Sequence, residues 1–186
     1  MSTRFFFICF ILIALFFSGN CLALEQWYPK ETLLSKLEKE NDVFKRFNLL
    51  CELSEVYQDF STKESIAFAE KALRIADSLN LVTERARALN LLGVSWKNAG
   101  NNMKSDELLT EALNIYQQTK SELGQAEVLR NIGESYRAGG DLEKSVSYLN
   151  KALEIFQKEK DTTGLAKTYN RLAATDLEIY YGMEDY

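Results

Sequence analysis

Few side chains in this 186-residue sequence have the types and spacing that catalysis needs. Histidine, the commonest general base and metal ligand, is absent. The 27 acidic residues are scattered along polar helix faces, and their plain reading is solvated charge. The sequence shows no glycine-rich phosphate loop, nucleophile elbow or metal-ligand spacing. It therefore predicts no catalytic residue, no cofactor and no metal. Cys9, Cys21 and Cys51 complete the reactive types. Cys51, set in an apolar helical run, reads as a small core residue rather than a reactive thiol. What remains is the chemistry of recognition. Asparagine amides both donate and accept, so they can pair with an extended peptide backbone. Lysine and arginine can hold carboxylates. With 22 basic against 27 acidic residues, a phosphate-backbone binder is disfavoured, and no nucleic-acid partner is expected.

The elements that must position these groups come from a duplication. Residues 86–125 and 126–165 align without a gap, with 14 identities in 40 positions. Such a period marks a stacked repeat architecture. Each unit reads as two antiparallel helices. In the first of the pair, helix A spans about residues 81–99, Gly100-Asn101 turns the chain, and helix B spans about residues 102–119. Gly100 and Gly140 suit the left-handed end of a helix, and Asn101 and Asp141 suit the N-cap that follows. Gly93 and Gly133 sit inside helix A, where glycine costs about 1 kcal/mol relative to alanine, so they predict close approach of helix B. Leu109, Ala112, Leu113 and Tyr116 give helix B its apolar stripe. Trp96 and Tyr136 are expected to fill the space between hairpins.

The chain start has a different character. Arg4 is followed by an unbroken apolar run from Phe5 to Phe17, then by Ser18-Gly19-Asn20 and the small-x-small Cys21-Leu22-Ala23. This is the pattern of an export signal over residues 1–23, either cleaved or kept as an anchor. Thirteen apolar residues are short for a membrane span. An exported location, periplasmic or extracellular, follows as an expectation. Residues 24–45 then read as a linker and an N-terminal capping helix, opened by Pro29 and carrying Leu33, Leu34 and Leu37 on one face.

The sets Leu89-Leu92-Gly93-Trp96-Ser105-Leu109-Ala112 and Leu129-Ile132-Gly133-Tyr136-Ser145-Leu149-Ala152 resemble the tetratricopeptide repeat. The 40-residue period resembles the longer-helix branch of kinesin light chains and bacterial sensor proteins. The resemblance implies an all-α, right-handed superhelical solenoid of antiparallel helix pairs. Its units would be a degenerate one at residues 47–80, with Ser54 in place of the glycine, and full ones at 86–119 and 126–159. A partial unit or cap would occupy 166–186, with Tyr181-Gly182 near its turn. The extra six residues per unit would fall around 120–125 and 160–165.

The resemblance also implies a binding role, through a concave groove lined by the A helices. The groove positions would be Arg87, Asn90, Lys97, Arg130, Asn131, Glu134, Arg137, Lys167 and Asn170, flanked by Asn48, Cys51, Glu55, Glu127 and Arg171. Their basic members would make the later groove locally basic and fit a protein or peptide partner, such as an acidic segment. The carboxylate-gripping set of some chaperone-binding members is not reproduced, because Cys51 and Asn90 stand at its positions. Two roles fit: an exported scaffold, or the sensor region of a larger membrane signalling protein that continues past Tyr186. A membrane would be met only through an uncleaved signal or a further span.

Overall fold

A computed structural model describes residues 29–184. The expected signal at 1–23 and the linker up to residue 28 lie outside the described residues. The described residues form eight helices: α1 Pro29–Lys39, α2 Val43–Tyr57, α3 Thr62–Ser78, α4 Val82–Asn98, α5 Asn102–Gln118, α6 Glu122–Ala138, α7 Leu142–Glu159 and α8 Thr162–Glu184. No helix among them is long and apolar enough to cross a membrane.

The 40-residue period resolves into 17-residue helices joined by three-residue connections. Gly100 and Gly140 adopt φ of 79° and 82° just past the A helices. Asn101 and Asp141 then cap the next helix, their side chains accepting from the backbone N–H of Lys104 and Lys144. The B helices end differently. Asn80, Lys120 and Lys160 take φ of 54°, 55° and 58°, a left-handed stop made without glycine. The extra residues expected in the linker at 120–125 and 160–165 mostly build the first turn of the next A helix. The repeat is long because its helices are long.

Small residues set the spacing within a hairpin. A Cβ on Gly93 would lie 2.8 Å from Leu109 Cγ, and one on Gly133 would lie 2.8 Å from Leu149 Cγ and 3.2 Å from the Ser145 carbonyl oxygen. Gly124 and Gly164 do the same job between hairpins, since a Cβ there would strike the rings of Tyr116 and Phe156. The first hairpin substitutes hydroxyls for glycine. Ser54 Oγ donates to the Ser65 carbonyl at 3.0 Å, and Ser65 Oγ donates to the Ser54 carbonyl at 2.8 Å. Two buried serines thus satisfy each other where a larger side chain would push the helices apart.

Trp96 lies against the cluster shared by the first two hairpins, as expected, whereas Tyr136 differs from expectation. Trp96 packs on the first core cluster but is half-buried, with Lys104 Nζ 3.8 Å from its ring centre. Tyr136 stacks on Tyr148 of its own hairpin, ring centres 5.3 Å apart. Helix B of the same hairpin offers the nearer aromatic surface, so the ring closes its own hairpin rather than bridging to the next.

At the start, Leu33, Leu34 and Leu37 pack on the first cluster beside Phe47 and Leu53. Arg46 secures this cap by donating to the carbonyls of Leu37 and Glu40 at 2.9 and 2.8 Å. Helix α2 begins at Val43, ahead of the unit boundary read at residue 47. At the other end α8 runs unbroken through Tyr181-Gly182, so the expected turn there is absent. Consecutive A helices (α2, α4, α6, α8) approach one another, whereas consecutive B helices (α3, α5, α7) do not. The solenoid therefore curves with its A helices inside.

Candidate functional site

That curvature leaves a cleft of about 600 Å³ lined by α2, α4, α6 and α8. Seven of the nine groove residues read from the sequence line it: Asn90, Lys97, Arg130, Asn131, Glu134, Lys167 and Asn170. The other two are turned to protein partners. Arg87 donates to Asn48 Oδ1 at 3.0 Å and stands 3.9 Å from Glu55. Arg137 is held by Glu134 at 2.6 Å and by Glu178 of α8. Arg171, Glu55 and Glu127 also line the cleft. Gln58, Leu91 and Val94 line it too, and the groove set did not include them. Leu91 and Val94 stand 40 residues before Asn131 and Glu134, and the sequence marks both pairs, where the copies differ, as places for specificity.

The side chains meet across one repeat. Asn131 Nδ2 donates to Asn90 Oδ1 at 2.8 Å, two groups 41 positions apart. The Arg137–Glu178 pair has the same separation. Arg171 reaches Glu134 at 3.5 Å. Arg130 is 41 positions from Arg171, so at this level a cation faces a cation. Among the described residues Arg130 has no ion pair within 4 Å; its guanidinium lies 5.9 Å from the Phe156 ring centre. Burial presses its pKa down first; the charges of Glu127 and Asp161 pull it back, and that of Arg171 adds to the fall.

Charge in the cleft is mixed in sign rather than simply basic. Glu134 is only 7% exposed. Burial works to raise its carboxyl, but the Arg137 hydrogen bond and the charges of Arg171 and Lys97 win and hold it below the usual carboxylate range. Lys97 is half-buried, and desolvation lowers its pKa. Glu55 moves the other way, raised first by burial, with Glu127 adding to the rise against Arg87. Lys167 and Asn170 are exposed on α8 at the cleft's far wall. Such an array can pair with the backbone of an extended chain through Asn90, Asn131 and Asn170, and can hold an anion between Arg130 and Arg171. Cys51 takes no part. It is fully buried, and burial pushes its thiol up to about 12.

Comparison with known proteins agrees with this architecture. The sequence profile described as tetratricopeptide repeat matches residues 84–158 and 124–179, together just over half of the chain. Among solved structures, BtubC (BKLC) from P. vanneervenii is 23% identical with a TM-score of 0.59, over 85% of this chain and 66% of that one. The apo form of RapI is 23% identical with a TM-score of 0.59, over 82% and 43% of the two chains. A Rap protein complexed with competence and sporulation factor is 20% identical with a TM-score of 0.64, over 80% and 47%. The chain thus spans less than two thirds of each of these structures, and at such identities the likeness is one of fold. No curated protein matches the chain.

Proposed function

The chain belongs to the tetratricopeptide repeat family, and from that premise we propose that it is an exported scaffold that holds an extended, acidic peptide segment of a protein partner in its concave cleft. The observation that carries this is the Arg130–Arg171 level. Its neighbours, Asn90 with Asn131 and Arg137 with Glu178, are satisfied across one repeat. At the Arg130 level two cations line the same cleft, and Arg130 has no ion pair within 4 Å among the described residues, Glu127 and Asp161 acting on it only from farther off. A ligand carboxylate placed there would give Arg130 a close anion, add to the Glu134 pair of Arg171 and gain charge-assisted hydrogen bonds. The amides on either side suit the ligand's main chain. A similar solenoid, the Rap protein, is known in complex with competence and sporulation factor, which supports occupancy of this architecture by a partner.

The test is a peptide array of acidic, neutral and basic segments, probed with wild type and with the Arg130→Ala, Asn90→Ala double variant. Acidic segments should be retained by wild type, more weakly at high salt, and lost from the variant. Equal retention of all three classes, or unchanged binding by the variant, would remove the cleft from the proposal. Export rests on the charged, apolar and small-residue order of residues 1–23. Mass spectrometry of the mature N-terminus should begin at Leu24; an unprocessed chain inside the cell would count against export.

A further inference from the structure

The joints between successive helix pairs share one plan, and the joint between α5 and α6 departs from it. Each B helix carries a serine, and the next A helix carries a hydroxyl residue 30 positions later. Ser65 and Ser95 bond at 2.7 Å between α3 and α4, and Ser145 and Thr175 at 3.4 Å between α7 and α8. Between α5 and α6 the pair is Ser105 and Ser135. Their hydroxyl oxygens are buried, and neither has a hydrogen-bond partner among the described residues. A pocket of about 250 Å³ opens here, lined by Asn102 and Asp106 near the start of α5 and by Ser135, Tyr136 and Gly139 at the end of α6. The aromatic residues account for the difference. At the first joint Trp96 and Leu108 pack on the shared cluster, and the indole N–H is buried. Forty positions on, Tyr148 replaces Leu108, and Tyr136 stacks on it. The ring that would fill the second joint is held within its own hairpin.

The other end of the same joint is tight. A Cβ on Gly124 would lie 2.4 Å from the Tyr116 ring, and the fully buried Val128 shares a cluster with Tyr116 and Ile115. Helices α5 and α6 are thus pinned beside their connection and poorly matched at the far end. Packed interfaces resist displacement, so motion concentrates where side chains leave space and polar groups lack partners. We propose that this joint is the hinge of the solenoid, about which the first two hairpins and their cap turn as one body against the third hairpin and α8. The cleft follows that turn, because its walls α4 and α6 lie on opposite sides of the joint. The bond from Asn131 Nδ2 to Asn90 Oδ1, at 2.8 Å, spans the joint on the groove side and acts as its latch. The inference does not depend on what the cleft binds.

Distances between spin labels, read by double electron–electron resonance on the full-length chain in a mild detergent, test this. Ala67, Glu107 and Ser147 occupy one exposed position on α3, α5 and α7, 40 residues apart. Ala67→Cys with Glu107→Cys spans the first joint, and Glu107→Cys with Ser147→Cys spans the second. Cys9→Ser and Cys21→Ser remove competing thiols, and the fully buried Cys51 stays. The 107–147 distribution should be broader than the 67–107 one. Tyr136→Trp with Tyr148→Leu gives the third hairpin the residues of the second, and should narrow the 107–147 distribution to the 67–107 width. Asn131→Ala opens the latch, and should broaden the 107–147 distribution while leaving the 67–107 one unchanged. Equal widths without these changes would overturn the hinge, and that comparison decides even where the double variant loses its helical circular dichroism. A folded double variant that stays broad, or an Asn131→Ala variant that alters both distributions or neither, would overturn it too.

Discussion

Glu134→Gln separates what holds the cleft together from what the cleft attracts. Glu134 accepts from Arg137 at 2.6 and 3.1 Å and from Arg171 at 3.5 Å. Gln keeps one acceptor, and Arg137 retains Glu178. The cost should therefore fall below the roughly 3–5 kcal/mol of a broken buried pair, at about 1–2 kcal/mol. Binding should move the opposite way. Removing one negative charge about 8 Å from a bound carboxylate, at an effective dielectric of about 40, is worth about 1 kcal/mol, or roughly fivefold tighter binding of an acidic peptide. Urea unfolding reads the first quantity, and fluorescence anisotropy with a labelled hepta-glutamate peptide reads the second. The pH dependence fixes the sign. The folded carboxyl lies below its usual range, so its stabilisation is complete above the unfolded pKa and is lost as pH falls through the folded value. Wild type and variant should thus converge in stability in acid. A gap that stays constant with pH, or an acidic peptide that binds no tighter, would refute the electrostatic account of the cleft.

Other outcomes can be measured independently. Arg171→Glu should give Arg130 an internal partner and set a second carboxylate beside Glu134, weakening hepta-glutamate binding at least about tenfold and costing about 1–3 kcal/mol of stability. Leu149→Ala should cost about 2–5 kcal/mol in urea unfolding. Gly133→Ala in that background should recover part of this loss, with a coupling of about 1 kcal/mol, because the new methyl enters space the leucine left. Lys120→Gly should stabilise by up to about 1 kcal/mol in thermal unfolding, since φ of 55° suits glycine better than lysine. The buried Cys51 thiol, raised to about 12, should resist a thiol reagent at pH 8 until the chain is unfolded.

Identity between the two copies made the scaffold readable. Gly93 and Gly133, Gly100 and Gly140, and the caps Asn101 and Asp141 do what their chemistry requires, because each role is local to one hairpin. Helix ends were less readable. Residues 122–125 and 162–165 carry glycine, threonine and few apolar positions, which suits a loop as well as a first helical turn. Only the left-handed stops at Lys120 and Lys160 decide where the turn lies. The Ser54–Ser65 pair was half legible: a small residue was called for, but reciprocal hydroxyl bonding depends on a helix separation that periodicity does not encode. The fates of Arg87 and Arg137 were only partly legible residue by residue: Glu134 lies one turn from Arg137 on its own helix, but Asn48 and Glu178 lie outside the hairpins of Arg87 and Arg137.

Yet the period orders part of the groove. A helices stack at 40-residue spacing, and where a side chain leans about one residue further, position i meets i+41; Arg87 with Asn48, 39 apart, and Arg171 with Glu134, 37 apart, do not follow this spacing. Applied to the sequence, that rule pairs Asn90 with Asn131 and Arg137 with Glu178, and the structure has both contacts. An amide can pair with its own kind, because it carries both a donor and an acceptor; opposite charges pair directly. Arg130 and Arg171 also stand 41 positions apart; Arg171 finds Glu134 at 3.5 Å, whereas Arg130 has only the more distant Glu127 and Asp161. Two guanidiniums have ten donors between them and no acceptor. Like charge in a half-buried cleft costs stability, and at this level Arg130 is the cation with no ion pair within 4 Å among the described residues, which is the opening the proposed acidic ligand would fill.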